Sequence, residues 1–570
     1  MTPAPRDGRG APRGAPSLSR GAQLLLLAVP TVFLLAFFVR PVVAIVTAGL
    51  GGGPLGDGTV DLGALGTALT GPTVIGALRF TLWQAAWSTV LTLLVGLPAA
   101  YALHRFEFRG RRALTSLVMV PFVLPTVVVG SAFLALLGPS SPINTALRAV
   151  LGDGAPVLDL RRTLTAILLA HVFFNVAVVV RTVGAAWANL DPRLEDAARA
   201  AGASRWRAVR EVSLPMVAPA IGAATAVVFL FTFTSFGVVV LLGGPGVATL
   251  EVEIHRATTQ LLDLRLAAVL ALVQLVAVLA TLTLYGRLQR RAVARRLRRR
   301  DAALRRTRTR GERAFLTTTV TALVVLLATP PLVLVERSLA VGDGYGIGHY
   351  TGLATQARGT VLEVSPVLAV RNSVGFALAA ALIALLLGIC TAVAVTGRGG
   401  HGTRLLDRAL MVPLGTSAVT VGFGFLLALG QLRSHPIIIP IAQALIATPF
   451  VVRALVPAIE GIDPRLRDAA SSLGARGWRV WREVDLPIVA RTALVAFGFA
   501  FAIAVGEFGA TLFVARADLP TVPVAIFRAL GRPGAANFGQ AMALSTVLMA
   551  ITASAMLLLD RLRVGSIGRF

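Results

Sequence analysis

The chain alternates long apolar runs with short charged gaps, and twelve of the runs are long enough to cross a bilayer. They lie near residues 22–46, 79–103, 113–138, 163–187, 214–242 and 265–286, then near 314–336, 371–396, 409–430, 436–458, 486–514 and 539–560. A crossing needs about 20 apolar residues at about 1.5 Å of rise each. The pattern predicts an all-α, polytopic membrane protein with about 12 transmembrane helices. Composition agrees: 56% of the 570 residues are hydrophobic and only 14% are charged, the make-up of a chain with little water-facing surface. The first 20 residues are rich in Pro, Gly and Arg and are expected to be disordered. The apolar run after them lacks a clear small-residue cleavage site, so it is expected to stay as the first helix.

Charge then orients the spans. The formal net charge is +27, and with no lysine present the basic residues are all arginine. They sit in the gaps: His104–Arg112 after span two, 191–215 after span four, 287–313 after span six, Arg398, Arg404 and Arg408 after span eight, and 463–487 after span ten. Arginine-poor gaps such as GLGGGPLGDGTVDLG alternate with these. By the positive-inside rule the arginine-rich gaps and both termini are cytoplasmic. Residues 287–313 carry 13 arginines and read as a basic linker held near anionic lipid headgroups. Clustering of the arginines in the gaps argues against a nucleic-acid partner, which this net charge would otherwise suggest.

The chain is an internal duplication. Residues 191–215, DPRLEDAARAAGASRWRAVREVSLP, return at 463–487 as DPRLRDAASSLGARGWRVWREVDLP, with 16 of 25 positions identical and no gap. The offset is 463 − 191 = 272, and it also pairs Arg181 with Arg453 and Phe236-Gly237 with Phe508-Gly509. Upstream, Arg79 pairs with Arg371 and Pro121 with Pro413 at an offset of 292, so the first half has 20 extra residues in the gap near 139–162. Each half has an even number of spans, so two parallel six-helix repeats are expected, able to face each other across a central path. The halves are drawn as 21–286 and 314–570, with the linker between them.

Each repeated gap reads as a helix-glycine-helix elbow. Asp191 is placed to cap a short helix that starts at Pro192, runs from Arg193 to Ala201 and ends at Gly202. A second short helix is expected to pass Trp206 and Arg210 and stop before Pro215. Asp463, Pro464, Gly474, Trp478 and Pro487 repeat the plan. Two near-identical copies flanked by diverged spans suggest one partner with a repeated pocket.

The elbows carry a resemblance. Asp196-Ala197-Ala198, Gly202 and Val212-Ser-Leu-Pro215, with Asp468-Ala469-Ala470, Gly474 and Val484-Asp-Leu-Pro487, resemble the EAA loop of permease subunits of bacterial ATP-binding-cassette importers. That loop usually begins with Glu; both copies here have Asp. The resemblance implies that each elbow is a coupling helix docking on a cytoplasmic ATPase dimer, with Asp196 and Asp468 in place of the acid and Gly202 and Gly474 as the hinge. It also implies an extracytoplasmic solute-binding protein and a place in the bacterial plasma membrane. Fusion of both halves on one chain is similar to the thiamine and ferric-iron branches. Phe233–Gly237 and Leu242–Arg256 are similar to the matching stretch of thiamine permeases, which favours a small cationic solute.

The chain carries no enzyme of its own on this reading. A phosphate-binding P-loop needs a Lys to reach the phosphates, and there is none. No His/Cys spacing suits a metal, the lone Cys390 permits no disulfide within the chain, and no cofactor or catalytic residue is expected. Polar residues inside spans are costly and tend to face a cavity or a partner helix, which makes Glu507, Asn175 and Gln443 candidate path residues. Gly130, Gly422 and Gly424 are read as close-packing positions. Two other classes compete: an ion-gradient-driven secondary transporter, and a membrane scaffold whose elbows are plain docking sites.

Overall fold

The computed structural model describes residues 20–51, 62–152, 157–244, 246–293, 304–342, 344–354, 365–396, 406, 409–410, 412–413, 416–475 and 478–564. The expected disordered N-terminus and Arg398 and Arg404 therefore lie outside the described residues, as do Arg408 and residues 294–303 of the linker. The described chain is all-α apart from one ribbon, β1 (Ala340–Val341) paired antiparallel with β2 (Gly344–Tyr345).

The first half runs as follows. α1 (Arg20–Leu34) passes through a π turn at Leu35–Val39 into α2 (Arg40–Gly49). α3 (Leu62–Leu69) leads to α4 (Pro72–Arg105), where Pro72 occupies a first-turn position that needs no N–H donor. α5 (Arg111–Val123), α6 (Thr126–Leu137), α7 (Pro142–Leu151) and α8 (Leu164–Ala188) follow. Then come α9 (Pro192–Ala200), α10 (Arg205–Ala208), α11 (Leu214–Phe233), α12 (Gly237–Leu242), α13 (Leu250–Thr259) and α14 (Leu264–Val293).

The second half begins with α15 (Arg310–Leu339), started by a reciprocal cap between Thr309 and Glu312. α16 (Gly348–Thr351), α17 (Pro366–Thr396), α18 (Ala418–Ala428) and α19 (Ile438–Glu460) follow. The chain ends with α20 (Pro464–Ser472), α21 (Trp478–Val480), α22 (Leu486–Val505), α23 (Thr511–Val514), α24 (Val522–Leu530) and α25 (Ala535–Val564).

Among the described residues, eleven helices are long and apolar enough to span a membrane, and Ala418–Ala428 is a shorter apolar helix. Four expected spans are not continuous helices. One is 409–430, where Ser417 is extended just ahead of α18. The run 113–138 breaks at Leu124, because Pro125 disfavours helical backbone in the residue before it and Leu124 is extended. The run 214–242 breaks after Phe233, and 486–514 breaks after Val505, at matching positions of the repeat.

The chain forms two compact units, one of residues 46–366 and 525–549, the other of 1–45, 367–524 and 550–570. They do not follow the two sequence halves. In the first unit Ala100, Val179, Val183, Trp187 and Val228 bring α4, α8 and α11 into one core, and α15 of the second half packs against α4 and α6. In the second unit Leu34 and Phe38 of the first apolar run share a core with Val421, Phe425, Leu445 and Val452. The repeat boundary near 313 is thus a boundary of sequence and not of packing.

Both units repeat one tight contact. A Cβ built on Gly96 would lie 2.7 Å from Val179 Cβ, and one on Gly388 2.5 Å from Val451 Cγ1; 388 − 96 = 292 and 451 − 179 = 272, the two repeat offsets. Gly130 meets Leu241 and Gly422 meets Ala510 and Phe513 in the same paired way. Small residues here let helices approach without a driving force from water. Gly96→Leu and Gly388→Leu should each lower stability by about 1–3 kcal/mol, read as a drop in the thermal unfolding midpoint in detergent; an unchanged midpoint would mean the helices can separate freely.

Candidate functional site

Each elbow is built from the same local parts. The Asp191 side chain accepts from Arg193 N at 3.0 Å, and Asp463 accepts from Arg465 N at 3.0 Å. These bonds satisfy an orphan donor at the head of α9 and of α20. Both helices then end against a left-handed glycine, Gly202 at φ +93 and Gly474 at φ +87. The N–H of Ala203 reaches back to Ala198 O and that of Ala475 to Ala470 O, both at 3.0 Å, closing the turn. A side chain at either glycine would be strained in that backbone region.

The second helix of the elbow departs from expectation. It does not stop before the proline. α10 opens into a π turn at Val209–Ser213 and continues directly into α11, with Pro215 inside its first turn. α21, the π turn Trp481–Asp485 and α22 repeat this with Pro487. The wider turn relieves the clash of the proline ring with the preceding carbonyl, so the helix survives a residue that normally ends it. The second helix of each elbow and the fifth span of its half are therefore one continuous rod.

The sequence-predicted site residues separate into an outer and an inner set. Asp196 points outward with 72% of its side chain exposed, and Arg199 lies 3.9 Å from it. Asp468, Ala197, Ala469, Gly202, Gly474, Pro215 and Pro487 are also exposed, and Ala198 and Ala470 are half-buried. Exposed apolar side chains flank them: Leu194, Leu466, Leu473 and Trp478. Trp478 stacks on Trp481 with ring centroids 4.7 Å apart. Such clustered apolar exposure marks a contact surface.

The inner set was not foreseen. Beside each aspartate lies a buried charge, Glu195 in the first elbow and Arg467 in the second. Glu195 is ion-paired with Arg105 at the end of α4 and accepts from Ser213 Oγ at 2.6 Å. Arg467 donates from Nε to Asp485 Oδ1 at 2.7 Å. The signal was available as a mismatch at otherwise identical positions, Glu195 against Arg467 and Ser213 against Asp485.

The candidate path residues lie elsewhere and have local partners. Glu507 is buried in the break after α22, where it accepts from Ala510 N at 2.7 Å, from Thr511 N at 3.0 Å and from Thr511 Oγ1. Asn175 donates to His171 O in its own helix at 2.9 Å. Gln443 is buried, and its Oε1 has no hydrogen-bond partner among the described residues. His171, at the position matching Gln443, joins Ser88 at 2.8 Å and Ser235 at 2.9 Å, and Ser235 matches Glu507. In the first unit a cavity of about 1050 Å³ lies at the start of α4, lined by Arg79, Phe80, Trp83, Glu253, Arg256 and Gln260 among others. Two arginines against one carboxylate do not select a cation by charge alone.

A family model described as "Binding-protein-dependent transport system inner membrane component" matches residues 92–299 and 384–563, once in each half. The chain belongs to this family. It is a multi-pass permease component of an importer, and the matched segments contain both elbows. The permease is 28% identical over 464 residues to the thiamine transport system permease protein ThiP of Escherichia coli, covering 80% of this chain and 83% of that relative. It is 29% identical over 494 residues to ThiP of Brucella abortus, covering 85% and 87%. A probable molybdenum ABC transporter permease protein of Haloferax volcanii is 33% identical over 237 residues, covering 42% of this chain and 79% of that one. The last match is about the length of one half of this chain.

Proposed function

We propose that this permease carries a thiamine-like cationic solute into the cell, driven by a separate cytoplasmic ATPase dimer that docks on the two elbows. The observation that carries the coupling role is the pair of outward-facing aspartates, Asp196 and Asp468, on matching capped hairpins with exposed leucines beside them. A nucleotide-dependent partner gripping both elbows would bias a two-state bundle through the continuous rods that leave them. Both termini and both elbows are placed in the cytoplasm on the arginine distribution. An extracytoplasmic solute-binding protein delivers the solute. The thiamine reading is supported by the relatives that match along most of the chain and are named for thiamine transport.

Uptake of labelled thiamine and, separately, ferric iron tests this in cells lacking the chain and in cells with it restored. Thiamine uptake should fall and return, and right-side-out vesicles should need ATP in their lumen to accumulate it. Iron uptake that follows the chain while thiamine does not would overturn the solute; transport driven by an ion gradient without ATP would overturn the coupling.

A further inference from the structure

The outward aspartates say where a partner would grip, but not what holds each elbow to the spans it must move. The buried charges beside them answer that, and they are of opposite sign. At the first elbow the buried residue is the acid Glu195, paired with Arg105 and bonded to Ser213. At the second it is the base Arg467, paired with Asp485 and reaching Ile459 O at 3.5 Å. Positions 195 and 467, and positions 213 and 485, correspond at the offset of 272. The residue matching Arg105 at the offset of 292 is Gly397, and in the second clamp the cation is carried on the elbow itself.

The wiring differs accordingly. Glu195 joins the first elbow to α4 and to the π turn ahead of α11. Arg467 joins the second elbow to the end of α19 and to the π turn ahead of α22. The Arg105 end of α4 is fixed further by the end of the linker. Arg305 N donates to Arg105 O at 3.1 Å, Glu107 N donates to Arg305 O at 3.0 Å, the Arg305 guanidinium lies 4.8 Å over the Phe106 ring, and Arg305 pairs with Glu312 at 2.8 Å. The linker thus closes onto the base of the first elbow.

We propose that Glu195 and Arg467 are the positioning residues that transmit elbow movement into the spans, through clamps of opposite polarity in which neither member can be exchanged between halves without its partner. The proposal rests on the docking role of the elbows given above. A buried charge whose partner is removed or matched in sign is strongly unfavourable, whereas a pair reversed as a unit keeps its attraction. Reversing one member therefore uncouples an elbow, and reversing both members couples it again.

The test uses the full chain reconstituted in proteoliposomes with its ATPase and solute-binding protein. Three quantities are read: co-purification with the ATPase, ATP hydrolysis, and solute moved per ATP. Glu195→Gln and Arg467→Gln should co-purify as the parent does and lose about tenfold in solute moved per ATP, within the usual range of coupling between sites. Arg467→Glu and Glu195→Arg should be worse, and Arg467→Glu with Asp485→Arg, or Glu195→Arg with Arg105→Glu, should recover most of the loss. Unchanged transport per ATP in both Gln variants would overturn the proposal. So would reversed pairs as defective as the single reversals, or losses confined to insertion, which would leave the clamps a folding role only. If the parent chain itself fails to bind the ATPase, the docking role falls instead.

Discussion

Asp196→Arg combined with Asp468→Arg should abolish solute uptake while leaving the permease inserted and as stable as the parent. Stability should hold because neither aspartate supports the fold: among the described residues Asp196 pairs loosely with Arg199 alone, and both side chains project outward. Exposed substitutions of this kind usually change stability by no more than about 0.5 kcal/mol. Docking is different. On the proposed docking, each reversal would turn an attractive contact with the ATPase into a repulsive one, and like charges facing each other across an interface cost several kcal/mol. If each elbow loses only about 1.4 kcal/mol of binding, a factor of ten, two elbows on one dimer lose about a hundredfold. Affinity for the ATPase subunit, measured with the purified permease in nanodiscs, should fall with uptake. Normal ATPase binding by the doubly reversed chain would remove the aspartates from the interface and leave the exposed Leu194, Leu466 and Leu473 to carry it.

Much of this molecule was legible in the sequence because membrane insertion imposes strong, local rules. A run of about 20 apolar residues must form a helix, since no water is present to satisfy its backbone. Asp191, Pro192 and Gly202 act through their own backbone geometry, and their elbow was therefore readable residue by residue. Pro215 misled for a reason of the same kind. Proline ends an ordinary helix, but a π turn just before it widens the coil and lets the rod continue. No local rule announces that turn. The breaks after Phe233 and Val505 were hidden because apolar composition runs straight across them.

The exchange of helices between halves was also not readable. Leu34 and Phe38 are apolar wherever they pack, and hydropathy does not name their neighbours. The buried clamp needed both copies side by side. Glu195 alone looks like one more charge on a polar helix. Only its replacement by Arg467, matched by Ser213 becoming Asp485, shows two positions changing together. A duplicated chain carries its own comparison, and the positions where the copies disagree proved as informative as those where they agree.

The second large effect is expected at Glu507, where the geometry favours a structural task over contact with the solute. Its carboxylate accepts from two backbone N–H groups and one hydroxyl at the start of α23, and it is buried. The helix before it ends at Val505, so those N–H groups have no helical partner of their own. Glu507→Leu should leave both N–H groups unsatisfied at about 1–3 kcal/mol each, enough to lower the yield of inserted protein sharply. Glu507→Gln keeps one accepting oxygen but turns an N–H toward a donor, so it should lose about half as much. Uptake per folded molecule should stay close to the parent's in the Gln variant, with the thermal midpoint in detergent falling in both and further for Leu. The opposite result, a Gln variant as stable as the parent but unable to transport, would make the carboxylate charge a feature of the path. Ser235, at the matching break in the first half, is instead bonded to His171, itself bonded to Ser88. Replacing His171 should therefore loosen the first break, as replacing Glu507 loosens the second.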